Sequence, residues 1–128
     1  GLVLSDRYLD SSLAYQGAGR ELDPQQIAAL SLWATGGIMP TRTILLDMSP
    51  AAIAERRGAG ELDRLERSGG AFHEAVRREY RDLAAAEPER FVVIDAARSR
   101  EDVHADVLAA IAPDLQPFAG SADGTAAL

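Results

Sequence analysis

This 128-residue sequence has no cysteine and no lysine; all 13 of its basic residues are arginine. Without cysteine there is no disulfide and no thiolate metal site. Without lysine no GxxxxGK[ST] phosphate-binding loop can lie within these residues. Positive charge is also scarce, since 20 acidic residues leave a formal charge of −7. That speaks against general binding to nucleic acid or to an anionic membrane, which needs a basic field. No apolar run approaches the ~18 residues of a membrane span, and no signal peptide is visible. These absences suit a soluble, cytoplasmic protein.

What is present can build a core. Hydrophobic residues make up 47% of the chain, enough for one domain or a piece of one at this length. Three short apolar runs each end in or just before an aspartate: Leu2-Val3-Leu4 before Asp6, Thr43-Ile44-Leu45-Leu46-Asp47 and Phe91-Val92-Val93-Ile94-Asp95. All-apolar runs of this length predict buried strands of a parallel sheet.

Between them lie helix signals. Asp23-Pro24-Gln25-Gln26 starts a helix with inner face Ile27, Leu30 and Ala34, Trp33 beside it, and a stop at Gly36-Gly37. Ser49-Pro50 starts another, carrying Ile53 and reaching Arg56-Arg57. Phe72, Val76, Tyr80 and Leu83 make the apolar stripe of a longer helix. Ser99 with Asp102 caps a last helix, with inner face Val103, Val107 and Ile111, ending at Pro113. The glycine-flanked "GAGELDRLERSGG" predicts a mobile loop, and the residues after 113 predict a disordered tail.

Alternating strands and helices imply an α/β fold with a parallel sheet, whose ligands bind beyond the carboxyl ends of the strands. The polar stretch "DRYLDSSLAYQGAGR" reads as a loop at such an end. Arg7 offers a planar fork for phosphate, and Asp6 could orient it or hold a magnesium-bound water. The alternative is a structural Asp-Arg pair. Ser11, Ser12 and Gln16 suit a base edge and Tyr15 a base or sugar face; the alternative is helix capping with Tyr15 half-buried in the core. Arg56, Arg57, Arg64 and Arg67 cluster where a lid could neutralise a phosphoryl group, or form a solvated charged loop with the interleaved acids. His73 and His104 have no metal-ligand spacing and read as helix-face residues.

Taken together, "DRYLDSSLAYQGAGRELDP", "LWATGGIMPTRTILLDMSP", the lid-like "ERRGAGELDRLERSGGAFHEAVRREY" and "RFVVIDAARSREDVHADV" resemble thymidylate kinases, which phosphorylate dTMP with ATP. The resemblance runs from about Leu2 to Ile111. It implies a P-loop kinase-like three-layer α/β/α fold with a parallel sheet, incomplete because the family's amino-terminal strands and P-loop with its lysine are not in this sequence. Residues 1–113 would be the carboxyl-terminal part of such a domain, with acceptor segment 5–23 and lid 55–70, and 114–128 a tail.

The same resemblance implies that Arg7 grips the acceptor phosphate, with Asp6 organising phosphate or Mg²⁺. Ser12 and Gln16 would border the thymine with support from Ser11, and Tyr15 would pack on the deoxyribose. Arg57 would stack on adenine, Arg64 and Arg56 would approach the ATP phosphates, and Ala96 and Ala97 would edge the adenine pocket. Homodimers are expected, completed by the missing P-loop segment. Two rivals stand beside this reading: a related deoxynucleoside kinase, and a non-catalytic module serving assembly or regulation.

Overall fold

A computed structural model describes residues 2–19, 23–57 and 69–118. In chain order the elements are α1 (Leu9–Gly19), α2 (Pro24–Ala34), β1 (Thr43–Asp47), α3 (Pro50–Arg57), α4 (Gly70–Ala86), β2 (Phe91–Asp95) and α5 (Arg100–Leu115), followed by a 3₁₀ turn, Gln116–Phe118. Helices around a small parallel sheet make this an incomplete α/β fold.

β1 and β2 pair in parallel, Thr43 opposite Phe91 through Asp47 opposite Asp95, as their apolar, β-branched runs predict. Paired positions share a face. Thr43, Leu45 and Asp47 therefore lie with Phe91, Val93 and Asp95, on the face that α4 meets through Arg77 and Asp47. α5 packs on β2, and α1 packs on α4 and α2. The buried apolar residues are few and small for the most part: Leu9, Ala14, Ala54, Val76, Ala84, Phe91 and Ile94.

The expected first strand is not formed. Leu2, Val3 and Leu4 are 64%, 90% and 96% exposed and lie outside any sheet. A strand is held by ladder hydrogen bonds to a neighbour, and among the described residues β1 and β2 pair only with each other. The polar stretch after it is not a loop either: Leu9–Gly19 is helical.

Helix caps follow the sequence. Asp23 Oδ1 accepts from Gln25 N–H at 2.9 Å, Ser49 Oγ from Ala52 N–H at 3.1 Å and Ser99 Oγ from Asp102 N–H at 3.1 Å. Gly36 and Gly37, both at positive φ, end α2. The inner face expected for α2 is only partly right: Ile27 is partly covered, with Ala28 and Ser31, while Leu30, Trp33 and Ala34 are exposed. α1 is the only helix that packs extensively on α2 among the described residues, which leaves its other flank uncovered. The last helix passes Pro113 and ends at Leu115. Asp114, expected to open the tail, instead takes two hydrogen bonds from Arg42, at 2.8 and 3.1 Å, tying α5 to the start of β1. Residues 58–68 of the expected lid loop and 119–128 of the tail lie outside the described residues.

One buried knot joins four elements. Arg90, just before β2, donates to Asp10 of α1 through both Nη atoms, each at 2.8 Å. It also binds Thr43 Oγ1 at 2.9 Å and Glu87 at 2.7 and 2.8 Å. Its guanidinium lies 4.5 Å from the Phe91 ring centroid. These bonds hold Glu87 below the usual carboxylate range.

Candidate functional site

Two groups of residues converge above this frame. The first is at α1. Arg7 precedes the helix with φ of 61°, the only non-glycine residue at positive φ among those described. For a long side chain that conformation is strained, at a cost on the order of 1–3 kcal/mol, and such outliers cluster at sites of function. The Ser5 hydroxyl donates to the Arg7 carbonyl at 3.1 Å. The exposed Arg7 guanidinium sits 5.3 Å from the Tyr15 ring centroid, within cation–π range.

Tyr15 in turn meets Phe72 and Tyr80 of α4 edge-on, at 6.1 and 6.4 Å between centroids. Tyr80 Oη donates to Ser11 Oγ at 2.8 Å, and burial raises the Tyr80 hydroxyl above its ordinary pKa. Ser11 and Tyr15 are one helical turn apart, on the flank of α1 that faces α4. Ser12 is exposed and Gln16 half-buried. Asp6 is exposed beside Arg7. Thus Arg7, Ser11 and Tyr15 come together, with Phe72 and Tyr80, which the sequence presented as core stripe. The signal for them was the i, i+4 spacing to Val76, which reads the same for a core and for the wall of a site.

The second group lines a cleft of about 460 Å³ at the carboxyl ends of the strands, bounded by Asp47, Met48, Ser49, Ala52, Arg77, Val93, Asp95 and Ala97. Arg77 clamps Asp47 with bonds of 2.7 and 2.9 Å. This bidentate pair holds the Asp47 carboxyl below the usual carboxylate range, with desolvation opposing and Arg81 adding a weaker pull at 3.9 Å. Ala97 stands at the rim. Arg56 donates to the carbonyls of Ala96, Ala97 and Arg98. Arg57 closes α3, its side chain outside the described part, and Arg64 lies outside the described residues.

Among the described residues no group of three or more His, Asp or Glu is placed to hold a metal. Mg²⁺ in phosphoryl transfer needs no such group: one carboxylate suffices, with waters and substrate phosphates completing its shell. The exposed Asp6 carboxylate fits that requirement.

Comparison with known proteins gives one consistent result. The family model described as thymidylate kinase matches residues 1–107. The thymidylate kinase of Clavibacter michiganensis subsp. michiganensis is 55% identical over 108 residues, 83% of this chain and 51% of that protein. That of Bifidobacterium longum strain DJO10A is 52% identical over 118 residues, 92% of this chain and 55% of that protein. That of Deinococcus radiodurans is 47% identical over 110 residues, 85% and 53% respectively. The chain thus spans about half the length of the curated relatives it matches.

Proposed function

The chain belongs to the thymidylate kinase family, and on that premise we propose that it is the acceptor-binding, carboxyl-terminal part of an enzyme that makes dTDP from dTMP and ATP. An oxygen of the dTMP phosphate attacks the γ-phosphorus of ATP in line. The bond from that phosphorus to the β–γ bridging oxygen breaks, and ADP leaves. Such a reaction asks the protein for positioning and for positive charge around the transferring group.

The observation that carries this reading is the strained, exposed Arg7 stacked on Tyr15. Arg7 presents its fork to the dTMP phosphate while Tyr15 packs on the deoxyribose. Ser12 and Gln16, the neighbouring polar positions of α1, border the thymine. Ser11 supports Tyr80 and takes no base. Ala96 and Ala97 edge the adenine, Arg57 stacks on it, and Arg64 reaches the phosphates from the lid. Asp6 would hold Mg²⁺, which would supply charge that neutralises the phosphates. The exposed Leu30 and Trp33 of α2 support a homodimer, and the net acidic charge of the chain suits a cytoplasmic setting.

The test is direct. In the full-length protein, Arg7→Ala should lower kcat/KM for dTMP by about 30- to 150-fold, since a charge-assisted bidentate contact is worth roughly 2–3 kcal/mol. The exposed Arg78 serves as control, its removal costing at most about fivefold. Equal losses for the two variants, or a full-length protein forming no dTDP, would overturn the assignment.

A further inference from the structure

Arg56 occupies the last turn of α3 and spends its guanidinium on three consecutive carbonyls. Nη1 donates to Ala96 O at 3.1 Å, and Nη2 to Ala97 O at 3.4 Å and Arg98 O at 2.7 Å. The same turn is held from two other sides. Ala96 N–H donates to Asp47 O at 2.8 Å, carrying the ladder one residue past β2, and Ala97 N–H donates to Asp95 Oδ1 at 2.9 Å. Arg98 pairs with Asp106 of α5.

Three convergent carbonyl dipoles repel one another unless a cation stands among them. A planar guanidinium with both terminal nitrogens turned to the backbone has no fork left for phosphate oxygens. We propose that Arg56 is a positioning residue, which fixes the 96–98 turn as a wall of the nucleotide-base pocket instead of gripping phosphate. This rests on the reading that the turn edges adenine. It adds a consequence for specificity. Adenine presents a 6-amino donor where guanine presents a 6-oxo acceptor, so a wall of fixed backbone groups separates them, and a loosened wall separates them less.

Two measurements test it. In this chain, amide hydrogen exchange at Ala96 and Ala97 should quicken ~10-fold in Arg56→Ala, through local opening. It should recover in part in Arg56→Lys, while Val92 to Ile94 of β2 exchange as before. In the full-length protein, Arg56→Ala should raise KM for ATP about tenfold and narrow the preference for ATP over GTP, with kcat and KM for dTMP changed less than about twofold. A phosphate-gripping Arg56 would instead lower kcat, equally for ATP and GTP, because their phosphates are the same. That result, or unchanged exchange at Ala96 and Ala97, overturns the inference. A full-length protein that phosphorylates no dTMP would refute the proposed function, with the exchange measurement still judging Arg56.

Discussion

Arg90 uses all five of its N–H donors, on Asp10, Thr43 and Glu87. Asp10 is only 4% exposed, so its charge depends on that partner. Removing Arg90 alone strands a buried carboxylate, and Arg90→Met should cost about 3–5 kcal/mol in urea unfolding. Arg90→Met with Asp10→Leu should recover most of the loss, because the charge that needed a partner is gone. If the double variant is as unstable as the single one, the buried charge is not the cause. Sequence spacing could not find this knot, since Arg90 and Asp10 lie 80 residues apart and periodicity sees only local neighbours. Arg77 and Asp47 give a pH-dependent counterpart. Asp47 titrates below its ordinary value because Arg77 hydrogen-bonds the ionised form. Its contribution is therefore complete above the usual carboxylate pKa of ~3.9 and fades as pH falls through the depressed value. The stability gap between the wild type and Arg77→Met should be constant from pH 7 to about 5 and close toward about pH 2. A gap that persists at low pH would mean that Arg77 stabilises through packing alone.

Elements were legible where local chemistry decides them. β1 and β2 were readable to the residue because four apolar or β-branched positions lead into an aspartate. The starts of α2, α3 and α5 were readable because capping is a short-range rule. Leu2-Val3-Leu4 carries the same pattern as β1 and forms no strand, since a strand is completed by its neighbour and not by its own composition. The polar stretch that becomes α1 reads as a loop for a different reason. The buried side of α1 is Leu9, Asp10 and Ala14, and an acid in the middle of that face breaks the hydrophobic periodicity. Only the distant Arg90 makes Asp10 a core residue. Ala14, fully buried on a helix that packs on α4, allows close approach of the two. Ala14→Leu should cost about 1–3 kcal/mol by overpacking. It should also disturb the Tyr15 contacts with Phe72 and Tyr80, visible as shifts of their ring resonances. A neutral Ala14→Leu would show that the α1–α4 contact is loose and that Tyr15 is not fixed by it.

For the whole molecule, the decisive features are what is exposed and what no residue can supply. Leu2, Val3 and Leu4, Leu30 and Trp33 of α2, and Leu46 of β1 are all more than half exposed. The matched region spans only about half the length of the relatives, and this sequence has no lysine for a phosphate cradle. Phosphoryl transfer depends almost wholly on holding the β- and γ-phosphates in line with the acceptor. The 128-residue chain alone should therefore form no dTDP from dTMP and ATP, even with Arg7 and Tyr15 in place. Adding the amino-terminal half of the Clavibacter michiganensis relative as a separate polypeptide should restore some turnover, if Leu2 to Leu4 and Leu46 are surfaces awaiting that half. Trp33 is the sole tryptophan and is 81% exposed, so it reports on α2 independently. Its emission should be that of a solvated indole in dilute chain, and should move to shorter wavelength as concentration rises if second copies cover α2. Turnover by the verified chain alone would show that the phosphates can be held without a lysine cradle, and would remove the premise of this prediction. Failure to gain activity from the added half, with binding of that half demonstrated, would count against the acceptor roles proposed for Arg7 and Tyr15.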